Sequence, residues 1–253
     1  MSMTINLAYV MNKKYEKWFT LSLHSVMRHN KDIHLFLYST DMISLKSKMK
    51  ELMIVYPQLK VTYIEDERIE QWLNIFSDNS RGYQHVSKEA YLRLFLPNLK
   101  LPGISKIIYF DCDIINYASL DEIWNMDMEG NCFLGCRGYQ FSDKQAKELN
   151  HKYYVLSGML VLDLEELRKI DSLSIIKNNF KYALSLPSVP SADETVLNVL
   201  FYDKIKLISE AWNYCYNREY GSRKLHEKDI KNLHVCGSDK SKMIPLYISQ
   251  ASQ

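Results

Sequence analysis

The chain has 253 residues, 47% of them hydrophobic, and a formal net charge of +2. That length supports one α/β unit with a sizeable core, and the near-neutral balance gives no strong electrostatic case for nucleic acid. With few Gly and Pro, no apolar run near 18 residues and no basic, apolar leader at Met1–Asn6, collagen-like repeats, disorder, a membrane span and a signal peptide are not expected.

Ile5 to Val10 is an apolar run of strand length. Tyr15 to His29 carries Trp18, Phe19, Ser22, Val26 and Met27 at helical spacing. Leu35 to Tyr38 reads as a second strand, Ile43 to Tyr56 as a helix, and Leu59 to Ile64 as a third strand. This β-α-β-α-β rhythm predicts a mainly parallel sheet flanked by helices. Ser87 to Leu96 reads as a helix that stops at Pro97, and Lys106 to Phe110 as a central strand. Ser119 and Glu122 have the spacing of a capping box. Cys132 to Cys136 and Met159 to Leu164 read as strands, Asn178 to Leu186 and Ala192 to Tyr202 as helices, and Arg223 to Lys242 as a basic, irregular tail. No repeat or linker interrupts the chain, so one domain over 1–253 is expected.

Five cysteines include no Cys-x-x-Cys pair. An odd count in a chain that needs no staples points to unpaired thiols and a reducing cytoplasm.

The chemistry concentrates after the central strand, where Phe110 runs directly into Asp111-Cys112-Asp113. Ligands of α/β sheets gather at the carboxyl ends of strands. Two carboxylates there repel unless a cation lies between them, and a divalent ion with oxygen ligands suits that place. With fifteen aspartates in the chain, roughly one Asp-x-Asp arises by chance, so the position and not the motif carries the weight. A turn capped by Asp113 is the bland alternative. Phosphatases that place Asp-x-Asp after a strand continue with Gly-Thr near the chain start; here Ile114-Ile115 follow.

Further stretches line up with this one. Asn12-x-x-Tyr15, Tyr91-Leu92-Arg93-Leu94-Phe95-Leu96-Pro97, Asp111-Cys112-Asp113, Leu156-Ser157-Gly158 through Asp163-Leu164, Ala192-Asp193-Glu194 through Asn198, and His234-x-x-Gly237-x-x-Lys240 occur in this order. Together they resemble glycosyltransferase family 8, the bacterial galactosyl- and glucosyltransferases, over nearly the whole chain.

The resemblance implies a GT-A-like α/β fold and transfer of galactose or glucose from a UDP-sugar with retention of configuration. The acceptor would be a glycan, glycolipid or glycoprotein. It implies Mn²⁺, or Mg²⁺, on Asp111, Asp113 and His234, with Gly237 and Lys240 on the diphosphate. Asn12 and Tyr15 would hold the base, and Ala8, Asp111 and Cys112 would also bind the donor. Ser157, Gly158, Asp193 and Glu194 would meet the donor sugar and Arg93 the sugar or the diphosphate, with Arg93, Asp193 and Glu194 closest to the chemistry. Residues 1–115 would form the nucleotide half and 116–253 the sugar and acceptor half.

Several positions depart from the family pattern. Asn12 replaces an Asp, Leu156 replaces an Asn, Glu194 replaces a Gln, and Ser241-Lys242 replace a Pro-Trp. Glu194 is a candidate nucleophile or cation stabiliser, and Ser191-x-x-Glu194 is equally a capping box. A catalytically silent sugar-nucleotide-binding subunit and a metal phosphohydrolase are the alternatives from other classes. The basic tail, with Arg223, Lys224, Lys228 and Lys231, suits peripheral contact with an anionic inner-membrane surface; a solvated face suits it as well.

Overall fold

The computed structural model describes residues 4–75, 88–138, 140–186, 192–216, 227–237 and 239–251. Strand β1 (Ile5–Met11), helix α1 (Glu16–His29), strand β2 (Ile33–Ser39), helix α2 (Met42–Val55) and strand β3 (Lys60–Tyr63) realise the expected opening rhythm. Asp41 caps α2 by accepting the Ser44 N–H at 2.9 Å. Helices α3 (Arg68–Asn74) and α4 (Leu92–Phe95) lead to β4 (Lys106–Phe110), β5 (Ile114–Asn116), α5 (Asp121–Trp124), β6 (Phe133–Arg137), α6 (Gln140–Glu148) and β7 (Val155–Asp163). Then come α7 (Leu164–Lys169), α8 (Ser172–Ser185), α9 (Ala192–Phe201), β8 (Ile205–Ile208), β9 (Tyr214–Cys215), β10 (Asn232–His234) and α10 (Met243–Ala251).

A seven-stranded sheet has the order β3-β2-β1-β4-β7-β6-β8. β7 alone runs antiparallel to its neighbours β4 and β6. The sheet separates two cores because β1 alternates its side chains. Leu7, Tyr9 and Met11 face one core with Phe19, Leu23 and Val26 of α1 and Leu45 and Met49 of α2. Ala8 and Val10 face the other with Trp72, Leu92, Phe95, Leu164, Phe180 and Leu197. Each fully buried large apolar side chain contributes roughly 1.5–3 kcal/mol. This α/β sheet flanked by helices is the GT-A-like architecture expected.

A three-stranded sheet, β5-β10-β9, sits beyond the end of β4. Buried asparagines fix it. Asn116 donates through Nδ2 to Asn232 Oδ1 at 2.7 Å, and Asn232 donates to the Trp212 carbonyl at 2.9 Å. Asn30, at the end of α1, donates to Asn116 at 3.3 Å and accepts the Leu120 N–H at 2.7 Å. Pairing these polar groups with each other removes the cost of burying them, and it sets where β10 delivers His234.

Some elements differ from expectation. The segment around Arg93 is a 3₁₀ turn over Lys88–Tyr91, one α turn and a further 3₁₀ turn over Leu96–Asn98 that contains Pro97; Ser87 lies outside the described residues. Helix α8 begins at Ser172, six residues before the expected start, because Asp171 caps it through Ser174 N at 3.3 Å. Ser119 forms no capping box: its hydroxyl accepts from Asp121 N at 3.2 Å, and Leu120 takes the cap position. In the basic tail, residues 223–226 and 238 lie outside the described residues, while β10 and 3₁₀ turns over Glu227–Asp229 and Lys240–Lys242 give regular structure within the described part. Among the described residues no helix is long and apolar enough to cross a membrane.

Candidate metal and donor site

Strand β4 is buried through Phe110, so the chain leaves the core at Asp111. The Asp111 N–H donates to the Gly158 carbonyl at 2.7 Å, which ties the strand end to β7. On its other side β7 is irregular: the register with β6 jumps from Gly135↔Leu160 to Cys136↔Leu156. Such a bulge re-aims the residues it contains, here Ser157 and Gly158. From the small sheet, Val235 N donates to the Asp113 carbonyl at 2.9 Å, and His234 lies opposite Ile114.

These constraints converge on three side chains. Ligand atoms of Asp111, Asp113 and His234 lie within 4.8 Å of one another. His234 Nε2 is 3.2 Å from Asp113 and 3.9 Å from Asp111. His234 Nδ1 is 2.9 Å from Asn213 Oδ1. The amide oxygen is an acceptor, so Nδ1 is the protonated nitrogen and Nε2 is turned to the carboxylates. Lys240 Nζ contacts Asp113 Oδ2 and donates to the Val235 carbonyl at 2.8 Å.

Arg93 organises the other side. It is buried and approaches Asp111 Oδ1 at 2.9 Å and Asp193 Oδ2 at 3.3 Å. It also donates to the Ser157 carbonyl at 2.7 Å and lies over the Tyr109 ring at 4.5 Å. Tyr109 donates its hydroxyl to Asp111 Oδ1 at 2.7 Å. Ser157 donates to Asp193 at 3.0 Å, and its N–H donates to Glu194 Oε2 at 3.0 Å. Asn198 holds α9 on β7 by accepting the Val155 N–H at 2.7 Å and donating to the Val155 carbonyl at 2.8 Å.

The electrostatics follow from these contacts. Burial opposes ionisation of Asp113, yet His234 and Lys240 outweigh it and hold the carboxyl well below the usual range. Burial pushes Asp111 up against the pull of Arg93, and the charge of Asp113 adds to the rise. Burial also raises the Tyr15 phenol, which stands in the fields of Lys240, Asp113 and Asp111.

Two carboxylates and an imidazole fit a divalent ion that accepts oxygen and nitrogen ligands. Lys240 on Asp113 shows that the pocket already gathers positive charge. The structure thus brings together Arg93, Asp111, Asp113, Ser157, Gly158, Asp193, Glu194, His234 and Lys240. Tyr15 flanks them, and Gly237, between His234 and Lys240 in the chain, has φ +90°.

Other expected residues behave differently. The Ala8 methyl is fully buried within β1, in the core on the α4 side. The Cys112 thiol turns into the opposite core, which leaves only its backbone toward the site. Asn12 caps the 3₁₀ turn over Lys13–Tyr15 by accepting Lys14 N at 3.1 Å. Ser191 lies outside the described residues, so the capping box with Glu194 does too.

Two features escaped the sequence. Asn213 has no local signature; only its place beside β10 reveals it. Cys215 and Cys236 are joined as a disulfide with Cα atoms 6.0 Å apart. This corrects the expectation of unpaired thiols and removes the cysteine count as support for a reducing compartment. Cys112, Cys132 and Cys136 are free and buried.

Known proteins share this fold. The chain is similar over 97% of its length to the galactosyltransferase LgtC in complex with donor and acceptor sugar analogues, with a TM-score of 0.78, 96% of that chain covered and 15% identity. In sequence it is 24% identical over 265 residues to a probable galacturonosyltransferase-like protein 10 of Arabidopsis thaliana, covering 93% of this chain and 70% of that one. It is 25% identical over 132 residues to General stress protein A of Bacillus subtilis (strain 168), covering 51% of this chain. The chain spans about half the length of that relative, 46%. The family model described as glycosyl transferase family 8 matches residues 6–241. With the match reaching from β1 past Lys240, the chain belongs to glycosyltransferase family 8.

Proposed function

We propose that the protein is a metal-dependent retaining glycosyltransferase that moves galactose or glucose from a UDP-sugar to a glycan, lipid-linked or protein-linked acceptor. The observation that carries this reading is the placement of Asp111, Asp113 and His234 within 4.8 Å of one another at the mouth of β4. These three would hold Mn²⁺ or Mg²⁺. When bound, the ion would neutralise charge on the leaving diphosphate.

The remaining roles belong to the chain. Lys240 would exchange its contact with Asp113 for the diphosphate, beside the Gly237 amide. Tyr15 and Asn12 would take the base, with the Cys112 backbone close by. Asp193, held by Arg93 and Ser157, would accept hydrogen bonds from sugar hydroxyls. Glu194, fixed by the Ser157 N–H, would present negative charge to the cationic anomeric centre. Residues 1–115 would thus serve the nucleotide and 116–253 the sugar and acceptor. We place the reaction in the cytoplasm, with Lys228 and Lys231 available to an anionic membrane surface.

The test is a panel of UDP-glucose, UDP-galactose and their N-acetyl forms, incubated with Mn²⁺ or with a chelator. The expected result is slow release of UDP and free hexose from one donor, stopped by the chelator. Release of inorganic phosphate in place of UDP would make the protein a phosphohydrolase. UDP binding without turnover, even with acceptors supplied, would make it a silent binder.

A further inference from the structure

A second group of metal-ligating atoms adjoins the first and shares one member. Cys215 Sγ, Cys236 Sγ and a ring nitrogen of His234 lie within 4.8 Å of one another. The backbone sets this up. Cys215 lies opposite His234 in the β9–β10 register, and Cys236 follows His234 by two residues. The fold places both sulfurs beside the ring, and in the structure they are joined to each other.

A chain of this size with two extensive apolar cores has little need of a covalent staple. Cys236 is only partly buried, so a reductant can reach its sulfur. Reduction delivers two electrons and two protons to the bond and leaves two thiols. Two thiolates and an imidazole are a donor set for Zn²⁺, with a fourth position left for water. The carboxylate pair across the ring favours harder ions.

We propose that, once reduced, Cys215 and Cys236 form with His234 a thiolate–imidazole site for Zn²⁺ that excludes a hard divalent ion from Asp111, Asp113 and His234. A neutral imidazole has one bare nitrogen and serves one ion at a time. Taking the ring for zinc costs His234 either its Asn213 hydrogen bond or its approach to Asp113. Binding converts both thiols to thiolates and releases two protons for each zinc. The exclusion rests on the metal site of the proposed function; the sulfur site stands by itself.

The experiment uses the full chain and Co²⁺ as a probe, because thiolate ligands give cobalt a near-ultraviolet charge-transfer band. A phosphine reduces the disulfide, taking the oxygen of water to become its oxide, and is then removed. The expected result is a band in the reduced protein that saturates at about one cobalt per chain and bleaches with zinc. The disulfide form and reduced Cys215→Ser/Cys236→Ser should show none. A band absent from the reduced protein, or surviving in the double variant, would overturn the site. If the double variant fails to fold, Cys236→Ser alone decides, since one thiolate gives a clearly weaker band.

Mn²⁺ binding followed by electron paramagnetic resonance reads the exclusion. One equivalent of zinc should weaken Mn²⁺ at least about tenfold more in the reduced wild type than in the double variant. Equal weakening would overturn it. Failure of the disulfide form to bind Mn²⁺ would instead remove the proposed function and leave the cobalt result standing.

Discussion

A Cβ on Gly158 would collide with Cε1 of the His234 ring and stand 2.7 Å from its Nδ1 and 3.0 Å from Asp111 Oδ2. Glycine is required here because a ring from one sheet and a carboxylate from another meet over the backbone of β7. Its φ is not left-handed, so space and not conformation makes the demand. Gly158→Ala should push His234 away from the carboxylates and weaken Mn²⁺ binding by about tenfold to a hundredfold. Calorimetric titration with Mn²⁺ checks this, and unchanged affinity would mean that His234 is no ligand.

Asn213 acts on the same ring from behind. Its Oδ1 selects the Nδ1–H form that leaves Nε2 bare. Asn213→Ala should weaken Mn²⁺ by about tenfold or more. Asn213→Asp, which keeps the acceptor, should recover most of the loss in the same titration.

Arg93 is a buried cation between two acids, Asp111 and Asp193. Burial disfavours its charge, but the two carboxylates outweigh that and hold it ionised. Arg93→Met would leave both acids uncompensated. The expected loss of stability is about 3–5 kcal/mol, read from urea unfolding midpoints.

Away from the site, Asp66 accepts from Arg68 Nε at 2.8 Å and Nη2 at 2.6 Å. The Arg68 guanidinium holds the Asp66 carboxyl down at about 2, against its partial desolvation. A depressed carboxyl contributes stability that is complete above its unfolded value of about 4. That contribution is lost as pH falls toward the folded value. The cost of Asp66→Asn should therefore be constant from neutral pH down to about 5 and shrink between about 4 and 2. Denaturant unfolding of both proteins across that range measures it; a cost that grew with acidity would contradict the assignment.

Much of the fold was legible because β1, β2, β4 and β7 are apolar runs and α1 carries a clean inward stripe from Trp18 to Met27. Asp111 and Asp113 were legible because acids at the end of such a strand need a cause. His234 and Lys240 were found through the order of family motifs, since nothing local marks either. Asn213, the Asn116–Asn232 pair and the Cys215–Cys236 bond were not legible. Each joins residues 21 or more apart in the chain whose meeting only the small sheet decides. Helix α3 was missed because its seven residues are too few to show a period.

The most direct measurement is calorimetric binding of UDP to the wild-type chain and to Asp113→Asn, each with Mn²⁺ and with a chelator. The account predicts that UDP binds the wild type only with Mn²⁺ present, and that the variant loses this binding while remaining folded. UDP binding that is equally tight with the chelator, or in Asp113→Asn, would contradict it.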